Sequence, residues 1–128
     1  MNSPSRSFGQ RHTPTEIRLN REAKTLDVAF DNNQSFALRI ELLRVESPSA
    51  EVQGHSASQK QLVSGKRNVG ISEITPVGNY AIAISFDDGH DSGYFTWNLL
   101  YRYGENQDQL WAQYLSELSA ADLSRDPR

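Results

Sequence analysis

Apolar and polar residues alternate through most of the first hundred positions, and the alternation breaks at points that read as turns. Ile17 and Leu19, then Leu26, Val28 and Phe30, are apolar at every second position, with the polar link Asn20–Lys24 between them. A period of two belongs to half-buried strands, so these runs predict an antiparallel hairpin. Asp31-Asn32-Asn33 supplies a second turn, because Asn and Asp tolerate left-handed backbone and bond to their own main chain. A short strand over Ser35–Leu38 then leads into Arg39–Arg44, where Ile40, Leu42 and Leu43 cover one side of a brief helix. Pro48 ends that helix, and the small polar residues of Ser47–Gln59 predict a surface loop. Strand character resumes over Val69–Val77, and Pro76–Asn79 forms a turn. The next strand carries Tyr80, Ile82, Ile84 and Phe86 on one face and Ala81, Ala83 and Ser85 on the other. Small residues on that second face predict close approach by a helix. After a turn at Asp87–His90, Ser92–Phe95 returns as a strand and Thr96–Tyr103 forms a short helix ending at Gly104. A last helix, capped by Asn106 or Asp108, places Leu110, Trp111, Tyr114, Leu115 and Leu118 at helical spacing.

The expected architecture is α+β: a small antiparallel β-hairpin-based domain with two short helices and a C-terminal amphipathic helix. Residues 1–14 and 119–128 lack periodicity and read as a flexible arm and tail around one domain at 15–118. A chain of 128 residues is long enough for one modest core, and five Phe, five Tyr and two Trp supply its large side chains. The absence of cysteine removes disulfides, thiolate metal ligands and Cys nucleophiles together. No apolar run has the length of a membrane span or a secretion signal, so the expected location is the cytoplasm. A net charge of −3 argues against general nucleic-acid binding.

The densest candidate chemistry is Asp87-Asp88-Gly89-His90-Asp91, with His55 able to approach across the preceding loop. Metal binding there needs at least three converging ligands. The competing reading is a hairpin turn in which Asp-Gly supplies the backbone geometry. Lys60, Lys66 and Arg67 stand in a segment without acids, which suits either a solvated basic loop or an anion-binding loop near Gly65 and Gly70. No phosphate-binding loop, nucleophile elbow or dinucleotide fingerprint is present. A Ser–His pair drawn from the Ser47–Ser56 stretch stays open.

Two stretches echo one another. Leu26–Arg44 parallels Ile82–Arg102, aligning Phe30-Asp31 with Phe86-Asp87, Phe36 with Tyr94 and Leu42-Leu43 with Leu99-Leu100. Duplication or the shared grammar of β-hairpins accounts for this. The pieces LLRVESPSAEVQGH, SGKRNVGI, EITPVGNYAI and SFDDGHDSGYFTW, in that order within Thr15–Gly104, resemble the gamma-butyrobetaine hydroxylase-like N-terminal domain family. That family includes stand-alone bacterial proteins that form a domain of unknown function. Related domains precede the catalytic domain of carnitine-biosynthesis oxygenases and close plastid iron–sulfur scaffold proteins.

The resemblance implies a zinc module of three cysteines and one histidine, at positions matching Ser47, Ser49, Val52 and His90 of this chain. Neutral serines replace thiolates poorly and valine does not ligate, so no such zinc is expected. The oxygenases' iron site needs a His-x-Asp/Glu pair, and none of His12, His55 or His90 has an acid two residues on. The resulting expectation is a non-catalytic accessory or protein-interaction domain, linked to iron–sulfur or redox enzyme assembly. Its partner is another protein, and no cofactor is expected. The expected interaction surface is Ser47, Ser49, Glu51, His55, Lys60, Lys66 and Arg67. The alternative is a small metal- or ligand-binding protein, holding zinc or iron with His90, Asp87, Asp88 and His55.

Overall fold

The computed structural model describes residues 12–54 and 60–127. Strands β1 (Pro14–Asn20), β2 (Thr25–Phe30) and β3 (Ser35–Arg39) form one antiparallel meander, and helix α1 (Ile40–Val45) starts at the next residue. One helical turn, α2 (Ala50–Gln53), follows. Strands β4 (Ile71–Val77), β5 (Ala81–Phe86) and β6 (Asp91–Thr96) form a second meander, after which α3 (Trp97–Ala120) begins without a linker. The α+β architecture with antiparallel sheets is that expected from the alternation.

The two central strands show why the alternation works. Leu26, Val28 and Phe30 of β2 and Ile82, Ile84 and Phe86 of β5 are all buried, while the residues between them are only partly covered. Both inner faces join one core with Leu38, Ile40, Leu43, Phe95, Leu100 and Tyr103. Each such aliphatic or phenyl group contributes roughly 1.5–3 kcal/mol by leaving water. Ile17 and Leu19 are only partly buried, because β1 lies at the sheet edge. A smaller cluster joins Leu42 and Val45 of α1 to Tyr114 and Leu118 of α3, with Leu123 against it. Leu115, expected on this apolar face, is 38% exposed.

Three local expectations are corrected. The helix ending at Gly104 is instead continuous over 24 residues, with Thr96 as its cap, the hydroxyl accepting the Leu99 N–H at 3.2 Å. Gly104 lies inside the helix, where a Cβ would stand 2.3 Å from the Phe36 ring. It marks a close approach of helix to sheet, not a stop. The short helix expected at Thr96–Tyr103 is therefore part of α3. Part of the Ser47–Gln59 loop is helical at α2, held by bonds from Val52 N–H and Gln53 N–H to Ser49 O. Among the described residues, no helix covers the small face of β5 at Ala83 and Ser85, although Ala81 at its start is buried. Ala83 lies between Thr75 and Tyr94, and Tyr94 is 56% exposed, while the Ile82–Phe86 face receives Leu100 and Tyr103.

Residues 119–127 are bonded to the body of the domain. Asp122 adopts φ 57, the Leu123 N–H reaches Leu118 O at 2.8 Å and the Asp122 N–H reaches Ser119 O at 3.1 Å. These two bonds make a left-handed helix stop of the Schellman type. The chain then returns, and Gly65 N–H and Arg67 N–H bond to the carbonyls of Ser124 and Arg125. Arg125 also grips the buried Glu41 at 2.8 Å. At the other end, His12 stacks on Tyr101 with ring centroids 4.2 Å apart. No described helix is long and apolar enough to cross a membrane.

Candidate functional site

The turn joining β5 to β6 is a compact backbone loop. Phe86 N–H donates to His90 O at 3.0 Å, Gly89 N–H donates to Phe86 O at 3.1 Å, and Gly89 takes φ 88. Left-handed backbone at that position is the reason for a glycine there. The two acids that precede it are engaged with the rest of the protein. Asp87 accepts the Gly70 N–H at 2.9 Å and returns its own N–H to Gly70 O at 2.9 Å. A Cβ on Gly70 would lie 2.8 Å from the Asp87 carboxylate, so the contact depends on a bare Cα.

Asp88 is the electrostatic centre of the turn. One carboxylate oxygen accepts from Arg44 Nε at 2.8 Å and Lys66 Nζ at 2.6 Å, and the other accepts the His90 N–H at 3.1 Å. Although the turn is exposed, the Asp88 side chain is only 18% exposed and that of Arg44 10%. Burial on its own raises the carboxyl pKa, but the bonds from Lys66 and Arg44 outweigh it and hold the group at about 2. Arg44 Nη1 is buried with no hydrogen-bond partner among the described residues, so this pair retains a desolvation cost along with its attraction.

His90 is buried at 7% exposure, its Nε2 lying 3.2 Å from Ser47 Oγ and 3.3 Å from Ser49 Oγ. The serines come from the connection between α1 and α2. That connection is braced by Gln53 Nε2, which donates to Ser47 O at 2.9 Å, and by Ser49 N–H, which donates to Ser47 Oγ at 3.3 Å. Gly93 of β6 packs against the same segment, where a Cβ would stand 3.3 Å from the Pro48 carbonyl carbon and the Ser49 nitrogen. Two of the three positions that the family resemblance assigns to cysteine thus do meet His90, but as hydroxyls. Val52, the third, is buried at 1% exposure and offers an alkyl group. This donor set does not fit a zinc ion, since it supplies one imidazole, no thiolate and no carboxylate.

The other expected site residues do not assemble among the described residues. Asp87 and Asp88 point their oxygens into the bonds just described, and His55 and the Glu51 side chain lie outside the described residues. Among the described residues, no three His, Cys, Asp or Glu side chains are grouped to hold a metal. Ser47 is corrected from surface residue to core residue, with 0% exposure. Lys60 is bonded to Glu46 at 2.7 Å, Lys66 to Asp88, and Arg67 to Asp126, so these cations serve three separate contacts instead of one face.

The residue pattern missed a different cationic region. A groove of about 550 Å³ is lined by Lys24, Arg39, Arg67 and Arg125, with Glu41 and Asp108 as its acids. Arg39 and Arg125 both lie over the Trp111 ring, at 4.4 and 4.9 Å from its centroid. Glu41 is consumed by Arg125. Arg125 sits in the tail and Lys24 in the first hairpin turn, so no local motif could have joined them. The nearby edge of β3 is closed by Gln107 of α3, whose side-chain amide accepts the Arg39 N–H at 2.8 Å and donates to Ala37 O at 3.0 Å.

No curated protein matches the chain. One NMR solution structure is 50% identical, covering 93% of this chain and 94% of that one with a TM-score of 0.81. A second NMR structure is 48% identical, covering 99% and 92% with a TM-score of 0.79. A crystal structure of a protein of unknown function from Acidithiobacillus ferrooxidans, of the DUF971 family, is 38% identical, covering 70% and 90% with a TM-score of 0.59. Residues 17–101 match the family model described as gamma-butyrobetaine hydroxylase-like, N-terminal, and that span includes the second sheet, the first sheet from Ile17 onward, the acidic turn and His90. The chain belongs to the gamma-butyrobetaine hydroxylase-like N-terminal family, a domain of unknown function.

Proposed function

We propose that the chain is a non-catalytic accessory module of the cytoplasm that works by binding an acidic surface of another protein. The observation that carries this reading is the groove bounded by Lys24, Arg39, Arg67 and Arg125, a local positive region on a chain of net charge −3. Lys24 bonds only to the neutral Asn68, and Arg39 lies on Trp111, so neither is offset by a carboxylate among the described residues. Complementary charge of this kind steers association and selects partners more than it adds raw affinity. The fusion partners of related domains support a place in iron–sulfur or redox enzyme assembly. Against catalysis stands the acidic turn, where the Asp87 and Asp88 side chains accept internal hydrogen bonds and His90 is packed against two serines. Metal binding by Asp87, Asp88 and His90 would require those bonds to break.

The test uses the purified chain, immobilised, to capture a specific protein, with Lys24→Glu/Arg39→Glu as the charge-reversed control. Binding that falls at least about tenfold in the variant, and falls with rising salt, is the expected result. Equal capture by both chains, or reproducible turnover by the isolated protein, would overturn it.

A further inference from the structure

Where the β5–β6 turn meets the α1–α2 connection, the family pattern calls for a metal and the side chains present do not suit one. His90 brings its only imidazole nitrogen on that side to two hydroxyls, Ser47 Oγ at 3.2 Å and Ser49 Oγ at 3.3 Å. A hydroxyl both donates and accepts, so it satisfies Nε2 in either ring tautomer without losing a proton. A metal centre would demand deprotonated ligands instead.

We propose that a Ser47–His90–Ser49 hydrogen-bond clasp fastens this corner in place of a metal ion, and that it leaves the fold of this chain metal-independent. Three features make the clasp specific. Ser47 is at 0% exposure and His90 at 7%, so the bonds lie away from bulk water. The serine segment is held from behind by Gln53 Nε2 on Ser47 O and by the internal Ser49 N–H to Ser47 Oγ bond. Gly93 lets β6 approach the Pro48–Ser49 backbone closely enough to bring the two sides together. Asp88, two residues before His90, provides a separate tie through Arg44 and Lys66, so the turn is anchored at two points by different chemistry.

The experiment is thermal unfolding of the full chain, with and without EDTA or added zinc, alongside metal analysis of the freshly purified protein. The expected result is no stoichiometric metal and one melting temperature under all three conditions. The Ser47→Ala/Ser49→Ala variant should melt roughly 5 °C lower, equally with and without EDTA, because the buried His90 Nε2 loses both hydroxyl contacts. Nuclear magnetic resonance of the His90 ring nitrogens should show Nε2 moving in that variant, a change that general loosening elsewhere would not single out. Stoichiometric zinc whose removal lowers the melting temperature would overturn the proposal. So would an unchanged melting temperature and an unmoved Nε2 signal in the double-alanine variant. A variant too unstable to purify leaves the metal analysis and the EDTA comparison on the native chain to decide the metal-independence.

Discussion

In the turn at residues 31–34, Phe30 N–H bonds to Gln34 O at 2.8 Å, Asn33 N–H to Phe30 O at 3.1 Å, and Gln34 N–H to Asn32 Oδ1 at 3.1 Å. In the turn at residues 87–90, Phe86 N–H bonds to His90 O at 3.0 Å, Gly89 N–H to Phe86 O at 3.1 Å, and His90 N–H to Asp88 Oδ1 at 3.1 Å. The third residue is left-handed in both, Asn33 at φ 69 and Gly89 at φ 88. The backbones correspond bond for bond, and each turn joins the second and third strands of a meander that runs directly into a helix. Their surroundings differ. Asn32 donates to the Tyr101 hydroxyl at 2.8 Å, and Gln34 is exposed. Asp88 instead holds Arg44 and Lys66, and His90 is buried on Ser47 and Ser49. Turn geometry is therefore a local property, while the charge environment of a turn depends on which distant segment packs over it.

The largest expected effect probes where the two units meet. Gly104→Ala should destabilise the protein by about 1–3 kcal/mol in urea unfolding, because the clash with Phe36 outweighs the roughly 1 kcal/mol that alanine adds to a helix interior. Trimming Phe36 to Leu in the same chain should make the combined loss smaller than the sum of the two single losses. Simple additivity would mean that the contact does not hold Gly104 in place.

A smaller effect separates the turns by their glycine. At Gly89 none of the described residues lies within 4 Å of an added Cβ, so Gly89→Ala reports backbone strain and should cost about 1–2 kcal/mol. Asn33→Gly in the other turn should stay within about 0.5 kcal/mol, since both residues accept left-handed backbone. Equal losses at the two sites would break the equivalence of the backbones.

The smallest effect exchanges the side chains between the turns. Asp88→Asn keeps an acceptor for the His90 N–H and removes the charge that Arg44 and Lys66 share, at a cost of about 1 kcal/mol near pH 7 after solvent screening. Asn32→Asp should change stability by no more than about 0.5 kcal/mol. Because the folded pKa of Asp88 is depressed to about 2 from 3.8, its contribution is present above pH 4 and is lost as the pH falls from there toward 2. The gap between native chain and Asp88→Asn should therefore close over that window. A gap that persists undiminished at pH 2 would show that the charge is not its source.

The two meanders, the positions of both turns and the buried faces of β2 and β5 were legible in the residues. Each rests on a period of two or on a turn residue acting within a few positions of itself. The amphipathic stripe of the last helix was legible as well, except for Leu115. What misled was Gly104, whose usual role near a helix end is overridden by a phenyl ring brought in from β3. Ser47 misled for a similar reason. A serine in a polar run reads as surface, and only the arrival of His90 from 43 positions away makes it core.

By itself, the sequence determined the strand periods, the turns, the lack of thiolate chemistry and the family. Tertiary structure decided which polar groups are spent and which are offered. Arg44 meets Asp88 across 44 residues, and Glu41 meets Arg125 across 84. Pairings at such separations leave no trace in local periodicity, because each partner taken alone is an ordinary surface charge. Packing brings them together and ties the acidic turn to the rest of the fold, while leaving Lys24 and Arg39 facing outward.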